Sequence, residues 1–216
     1  EWITGKKLPP PSDEDPTVAG FCEEAPGTFV MDESEPHWNG WGADSYNTRF
    51  QTTASAGIAA DQVPDLKVKW VFGLPSDFRV SQPTIAGGRV FVGSVKGRVY
   101  SLDANTGCLY WSTKTSGGVR STIVVDTLPG TEPPRHVLYV GDTEANVYAL
   151  DASTGKQLWK VDVDEHPLAT ITGTPKTYGN RIYVSTTALE ELAGADPQYE
   201  CCTFRGSVTA LNAITG

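Results

Sequence analysis

Beyond residue 80 the chain alternates between apolar and polar positions with a period of two. In residues 97–111 (GRVYSLDANTGCLYW), Val99, Ser101 and Asp103 fall on one face, and Tyr100 and Leu102 on the other. Residues 145–159 (ANVYALDASTGKQLW) repeat the pattern, with Val147, Ala149 and Asp151 opposite Tyr148 and Leu150. Residues 206–216 (GSVTALNAITG) begin it a third time. Such alternation, enriched in Val and Tyr, predicts strands. The Asp-Ala-x-Thr-Gly phrase predicts a tight turn after each, because Asp accepts hydrogen bonds from N–H groups just ahead of it and Gly takes positive φ. Leu109-Tyr110-Trp111 and Gln157-Leu158-Trp159 then open a further strand.

Two more strand-like runs precede each phrase: 82–85 with 90–92, 122–125 with 137–140, and 174–177 with 182–184. Gly87-Gly88 and Gly179-Asn180 are hairpin signals within the first and third pairs. One unit is therefore four antiparallel strands, A to D. The turn residue recurs after 48 positions, Asp103 to Asp151, and after 61, Asp151 to Asn212. A four-stranded unit at this spacing predicts an all-β propeller. Three blades are recognisable, around 80–111, 120–159 and 171–216, preceded by a lone strand-like run at 66–72 (LKVKWVF). Propellers close with about 4 to 8 blades. The expectation is thus part of a larger, seven- or eight-bladed ring, completed by further blades or by other copies of the chain.

Residues 1–36 differ in kind. Pro9-Pro10-Pro11, Asp13, Asp15, Glu23-Glu24 and Asp32 to Glu35 make them acidic and Pro-rich, an arm or linker ahead of the propeller domain at 37–216. The net charge of −9 excludes ordinary nucleic-acid binding, which needs clustered Lys and Arg. No apolar run approaches the ~18 residues of a membrane span, and no signal peptide is visible.

Alternation also sorts the loops. A–B and C–D turns share one face; B–C loops share the other with the connections from strand D to the next strand A. The third unit carries its extra length at 185–206, in its B–C loop, on the same face as 78–81, 117–121 and 164–173. Insertions in a repeat often mark the binding face. Cys201, Cys202 and Arg205 in this insertion are thereby expected to converge with Arg120, His166 and Thr172. The insertion at 126–136 lies in an A–B turn, on the opposite face.

Residues 38–50 (WNGWGADSYNTRF), followed by Val63-Pro64-Asp65-Leu66-Lys67-Val68-Lys69-Trp70, resemble the N-terminal segment of pyrroloquinoline quinone (PQQ)-dependent alcohol dehydrogenases. The A-L-D-A-x-T-G-x-x-x-W phrase resembles that family's tryptophan-docking repeat. Cys201-Cys202-Thr203-Phe204-Arg205-Gly206 resembles its vicinal cysteine pair followed by Arg-Gly, although the family's alcohol dehydrogenases often have four residues where two stand here. The segments HWNGWGAD, NTRFQ and YECCTFRGS resemble its polyvinyl-alcohol-dehydrogenase type.

The resemblance implies oxidation of an alcohol by hydride transfer to PQQ, a divalent cation, usually Ca²⁺, held by oxygen ligands, and a cytochrome c electron acceptor. It implies a Cys201–Cys202 disulfide as a rigid apolar platform for the quinone. Arg205, Arg120 and Thr172 are then cofactor-binding candidates, and Glu190 or Glu191, with Glu191 preferred, a cation ligand. No catalytic residue is assigned; the family's base and its remaining cation ligands come from later blades, so this segment alone is expected to be inactive. Cys22 and Cys108 are left either to bridge the arm to the first blade or to stay unpaired. Disulfides imply an oxidising compartment, periplasmic or secreted. The rival reading is a non-catalytic propeller of the same repeat that serves as a protein-binding scaffold. His37 and His166 lie in no metal-binding spacing.

Overall fold

The structure, a computed structural model, describes residues 20–25, 27–43, 46, 48–74 and 81–216. The loop expected at 78–81 lies outside the described residues except for Ser81, and so does most of the arm at 1–19.

Three antiparallel sheets follow one another. The first orders β1 (Thr84–Ala86), β2 (Arg89–Ser94), β3 (Arg98–Asp103) and β4 (Leu109–Lys114) as consecutive neighbours. The second does the same with β5 (Val124–Thr127), β6 (His136–Gly141), β7 (Asn146–Asp151) and β8 (Gln157–Asp162). The third orders β10 (Lys176–Tyr178), β11 (Arg181–Ala188) and β12 (Ser207–Asn212), and the short β9 (Ala169–Thr170) pairs with the far end of β11. These are the expected blades. Each first strand starts about two residues later than the apolar pattern suggests. Pro83 has no N–H for a ladder, Gln82 gives its amide to Gly40 and Trp41 carbonyls, and the Ile123 carbonyl is taken by the Thr84 hydroxyl.

The repeated phrase folds as its residues dictate. Asp103 Oδ1 accepts from the N–H of Asn105 (2.9 Å) and Thr106 (2.7 Å); Asp151 Oδ1 accepts from Ser153 (3.1 Å) and Thr154 (3.0 Å). Asn212 Oδ1 does the same for Ile214 and Thr215. Gly107, Gly155 and Gly216 close these turns with φ of 75°, 73° and 92°.

The core lies between blades. Phe91, Val99, Trp111 and Val119 pack with Ile123, Leu138, Val140, Tyr148 and Leu150 between the first two. Tyr139, Val147, Trp159 and Ile171 pack with Ile182, Val184 and Leu211 between the second and third. With neighbours on both faces, β6 is buried at every position. A tryptophan spans each boundary. Trp111 Nε1 donates to the Ala152 carbonyl (3.3 Å) and Trp159 Nε1 to that of Ala213 (3.2 Å).

Residues 66–72 correct the sequence reading. They form no strand, because no ladder among the described residues pairs with them; Leu66, Val68 and Val71 are exposed. Yet Trp70 Nε1 donates to the Ala104 carbonyl (3.1 Å), and its ring sits where a Cβ at Gly107 would be. Trp70 thus repeats toward the first blade what Trp111 and Trp159 do toward the second and third. With Phe72 and Leu74 it covers Tyr100, Leu102 and Leu109 on that blade's outer face.

The described part of the arm is docked. Cys22 is bridged to Cys108, Phe21 pairs with Leu109, and Phe29 is 3% exposed within the first inter-blade core. Further along, the chain crosses the innermost strands. Trp38 pairs with Ile85 of β1 through both backbone bonds, the Asn39 amide exchanges two hydrogen bonds with Val125 of β5, and Gly40 lies against Val124 and Thr174. Two short helical segments, α1 (Thr53–Ala56) and α2 (Glu190–Ala193), complete the elements described, with a 3₁₀ turn at Ala60–Asp65.

Candidate functional site

Hydrogen bonds gather the B–C loops and the D-to-A connections on one face. The connection after β4 bonds to the loop after β6: Gly117 N donates to Asp142 Oδ2 (2.9 Å), Gly118 N to Thr143 Oγ1 (2.9 Å), and Thr143 N to the Gly118 carbonyl (2.9 Å). Asp142 is fully buried and also accepts from Tyr148 Oη (2.8 Å), which fixes this seam.

The same seam shows that Arg120 and Thr172 occupy equivalent places in successive blades. Val119 packs where a Cβ at Gly93 would be, and Ile171 does so at Gly141. The next residue but one after each pairs with its own blade's second strand: Ser121 Oγ exchanges bonds with Gly141, and Gly173 abuts Ser185 Oγ. Arg120 and Thr172 stand between, both half-buried at the entry to a first strand. Sequence spacing alone does not reveal this equivalence, because the loops differ in length; the Val119–Gly93 and Ile171–Gly141 packing does. Among the described residues neither side chain has a hydrogen-bond or ion-pair partner.

The insertion of the third blade carries the cysteine pair. β11 runs on to Ala188, three residues past the expected start of the insertion, because its alternate residues Ile182, Val184 and Thr186 stay buried. α2 follows, and Cys201 and Cys202 form a disulfide with a Cα separation of 3.8 Å. Both are exposed, and Cys202 adopts φ of 78°. Arg205 is exposed too. Its Nη1 folds back on its own loop, donating to the Cys202 (2.8 Å) and Phe204 (2.7 Å) carbonyls, and its other nitrogens hold no partner among the described residues.

Glu190 and His166 tie this loop down. Glu190 Oε1 accepts from Tyr199 Oη (2.9 Å), Thr203 N (2.9 Å), Thr203 Oγ1 (3.2 Å) and Phe204 N (3.3 Å). Burial pushes its carboxyl up, but the bonds from Tyr199, Phe204 and Thr203 outweigh it and hold it below the usual range. His166, in the connection from β8 to β9, places Nε2 3.0 Å from Thr203 Oγ1 and its ring edge-on to Phe204. These interactions join His166 to the cysteine loop, whereas among the described residues no hydrogen bond, ion pair or ring contact joins that loop to Arg120 or Thr172. Glu191 is exposed on α2 and engages no neighbour among the described residues. Nor is any group of three His, Cys, Asp or Glu among them arranged to hold a metal ion.

Comparison with known proteins fits this arrangement. A family model described as outer membrane protein assembly factor BamB matches residues 128–216. Polyvinylalcohol dehydrogenase of Pseudomonas sp is 41% identical over 187 residues, which is 86% of this chain and 29% of that protein. The polyvinylalcohol dehydrogenase of Sphingopyxis sp. (strain 113P3) is 38% identical over 201 residues, 93% of this chain and 30% of that one. Quinohemoprotein alcohol dehydrogenase from Comamonas testosteroni superposes with a TM-score of 0.65 at 27% identity, over 84% of this chain and 26% of its own. A europium-containing methanol dehydrogenase shares the fold, with a TM-score of 0.63 at 21% identity over 85% of this chain and 31% of its own.

Fold and relatives together define part of a β-propeller of the kind these dehydrogenases share. In sequence the chain resembles polyvinylalcohol dehydrogenases, and in fold a quinohemoprotein alcohol dehydrogenase. It spans about 30% of the length of the curated relatives it matches.

Proposed function

We propose that this chain forms one wall of a quinoprotein site that oxidises an alcohol by hydride transfer to PQQ, the electrons passing on to a cytochrome c. The observation that carries this reading is the Cys201–Cys202 loop, where an exposed disulfide and a partly unengaged arginine stand side by side on the face that gathers the B–C loops. PQQ, when bound, supplies the two-electron acceptor. The residues fit such a planar, anionic group. The disulfide offers a flat apolar surface, and the free nitrogens of Arg205 suit a carboxylate. Arg120 adds a second cation without an acidic partner, and Thr172 a hydroxyl in the equivalent place one blade on.

A cation such as Ca²⁺ does not fit the described residues by themselves, since no three of their ligating side chains come together. Glu191 would offer one carboxylate and the remaining blades the other oxygens, as hard cations require. The base comes with those blades as well, whether they belong to a longer chain or to other copies of this one. The segment alone therefore turns over no alcohol. Two disulfides support an oxidising location, periplasmic or secreted.

Native mass spectrometry of the 216-residue chain with PQQ and Ca²⁺ tests this, beside the variant carrying Cys201→Ser and Cys202→Ser. The expected result is PQQ bound to the wild type and bound at least tenfold more weakly by the variant. Equal binding by both removes the platform. A wild type that closes into a ring of copies and stays bare favours the alternative, a non-catalytic propeller that binds proteins.

A further inference from the structure

The cysteine pair sits in the loop between β11 and β12, and the backbone of that loop is held at several points by a single carboxylate. Glu190 Oε1 takes the N–H groups of Thr203 and Phe204, the two residues that follow the disulfide, together with the hydroxyls of Thr203 and Tyr199. Hydrogen bonds to an ionised acceptor are roughly twice as strong as neutral ones. The need for them is visible in Cys202, whose φ of 78° is a conformation that L-residues keep only where the surroundings impose it. Arg205 depends on the same backbone, because the carbonyls that receive its Nη1 belong to Cys202 and Phe204. His166 reaches the loop from the preceding blade connection; its Nε2 lies 3.0 Å from Thr203 Oγ1 and 4.0 Å from Glu190 Oε1.

We propose that Glu190 is the positioning residue of the Cys201–Cys202 loop, its carboxylate fixing the disulfide and Arg205 in one orientation that His166 anchors to the neighbouring connection. The role of Glu190 in presenting a surface to PQQ rests on the function proposed above; its role in fixing the loop does not.

The test uses the 216-residue chain with Glu190→Ala, Glu190→Gln and, as a charge control beside His166, Glu165→Gln. Glu165 is exposed and bonds to nothing in the loop. Two quantities are followed: amide hydrogen exchange at residues 199–205, and the rate at which tris(2-carboxyethyl)phosphine reduces Cys201–Cys202, resolved from Cys22–Cys108 by alkylation and peptide mass. Glu190→Ala is expected to speed exchange at Thr203 and Phe204 at least tenfold and reduction several-fold, with the rest of the third blade unchanged. Glu190→Gln, which keeps one acceptor oxygen without the charge, should fall between, and Glu165→Gln should match the wild type. A general structural role would instead loosen β10 to β12 together. Should Glu190→Ala fail to fold, Glu190→Gln decides. Wild-type exchange and reduction in the Glu190 variants overturn the proposal. PQQ titration of the same proteins separates the two claims. A wild type that closes into a ring of copies and binds no PQQ refutes the quinone site while leaving the loop result standing.

Discussion

The ring of Trp111 occupies the space that a Cβ on Gly155 would need, and its indole N–H donates to Ala152 three residues before that glycine. One blade thus reads the turn of the next through both a missing side chain and a carbonyl. Gly155 has a second reason to be glycine, its φ of 73°.

These two reasons separate by substitution. Gly130 has nearly the same φ, 72°, but open space around it. Gly130→Ala should cost about 1 kcal/mol, the penalty for left-handed backbone alone. Gly155→Ala adds displacement of a buried ring and should cost roughly 3 kcal/mol. Urea unfolding of both variants measures the difference; equal losses would remove docking from the account.

Arg89 is the cationic counterpart of that seam. It is 5% exposed and donates to the carbonyls of Ala152 (3.1 Å), Ser153 (3.0 Å) and Gly27 (2.8 Å), joining the first blade, the second blade and the arm. Its guanidinium also lies over Tyr110. Arg89→Met keeps much of the apolar contact but strands three acceptors, and should lower stability by roughly 2 to 4 kcal/mol. Arg89→Lys, with one nitrogen in place of the fork, should recover part of it. Full stability in Arg89→Met would mean that water serves these carbonyls equally well.

Acid should weaken the fold in two stages. His136 is 7% exposed, and its Nε2 accepts the N–H of Met31, which only the neutral ring can do. Burial pushes its pKa below 6.5, against a weaker upward pull from Asp126. The unfolded chain therefore takes up the proton first. Stability is full above about pH 6.5 and declines as pH falls through that value. A second decline belongs to Asp103 and Asp151. Burial raises both, but hydrogen bonds, from Tyr110 in one case and Arg135 in the other, bring them below the ordinary 3.8. That loss begins near the ordinary carboxylate range and deepens below it. Urea midpoints between pH 8 and 3 should show both stages, and His136→Gln should abolish the upper one alone.

The bridge between Cys22 and Cys108 closes a span of 86 residues. Chain-entropy reasoning gives roughly 4 to 5 kcal/mol for a loop of that size, an upper figure where the unfolded chain retains structure. Cys22→Ser with Cys108→Ser should therefore lower stability by a few kcal/mol. It should also speed exchange of the Leu109 and Cys22 amides, which bond across this junction. Unchanged exchange there would show that Phe29 and Arg89 hold the arm without the disulfide.

The blades were legible in the sequence because their turns are built locally. Asp103 and Asp151 bond to residues two and three positions on, so the phrase carries its own geometry. What joins the blades was less legible. Trp70 stands in a run without the turn phrase beside it, and only its hydrogen bond to Ala104 shows it as the first of the docking tryptophans. In the sequence Glu190 reads as a candidate cation ligand beside Glu191. Its four donors come from an aperiodic loop 9 to 14 residues away, where no spacing rule reaches. Asn39 and Arg89 satisfy backbone groups far along the chain, and carbonyls are the same in every residue.

Trp38, Asn39 and Gly40 have a consequence for assembly. They touch Ile85, Val125 and Thr174, the inner strands or their lead-ins in all three blades, and they precede every one of them in the chain. Each blade therefore rests on a length of peptide that synthesis makes before it, as cloth rests on a mandrel. Winding in the order of the sequence threads no end through these contacts.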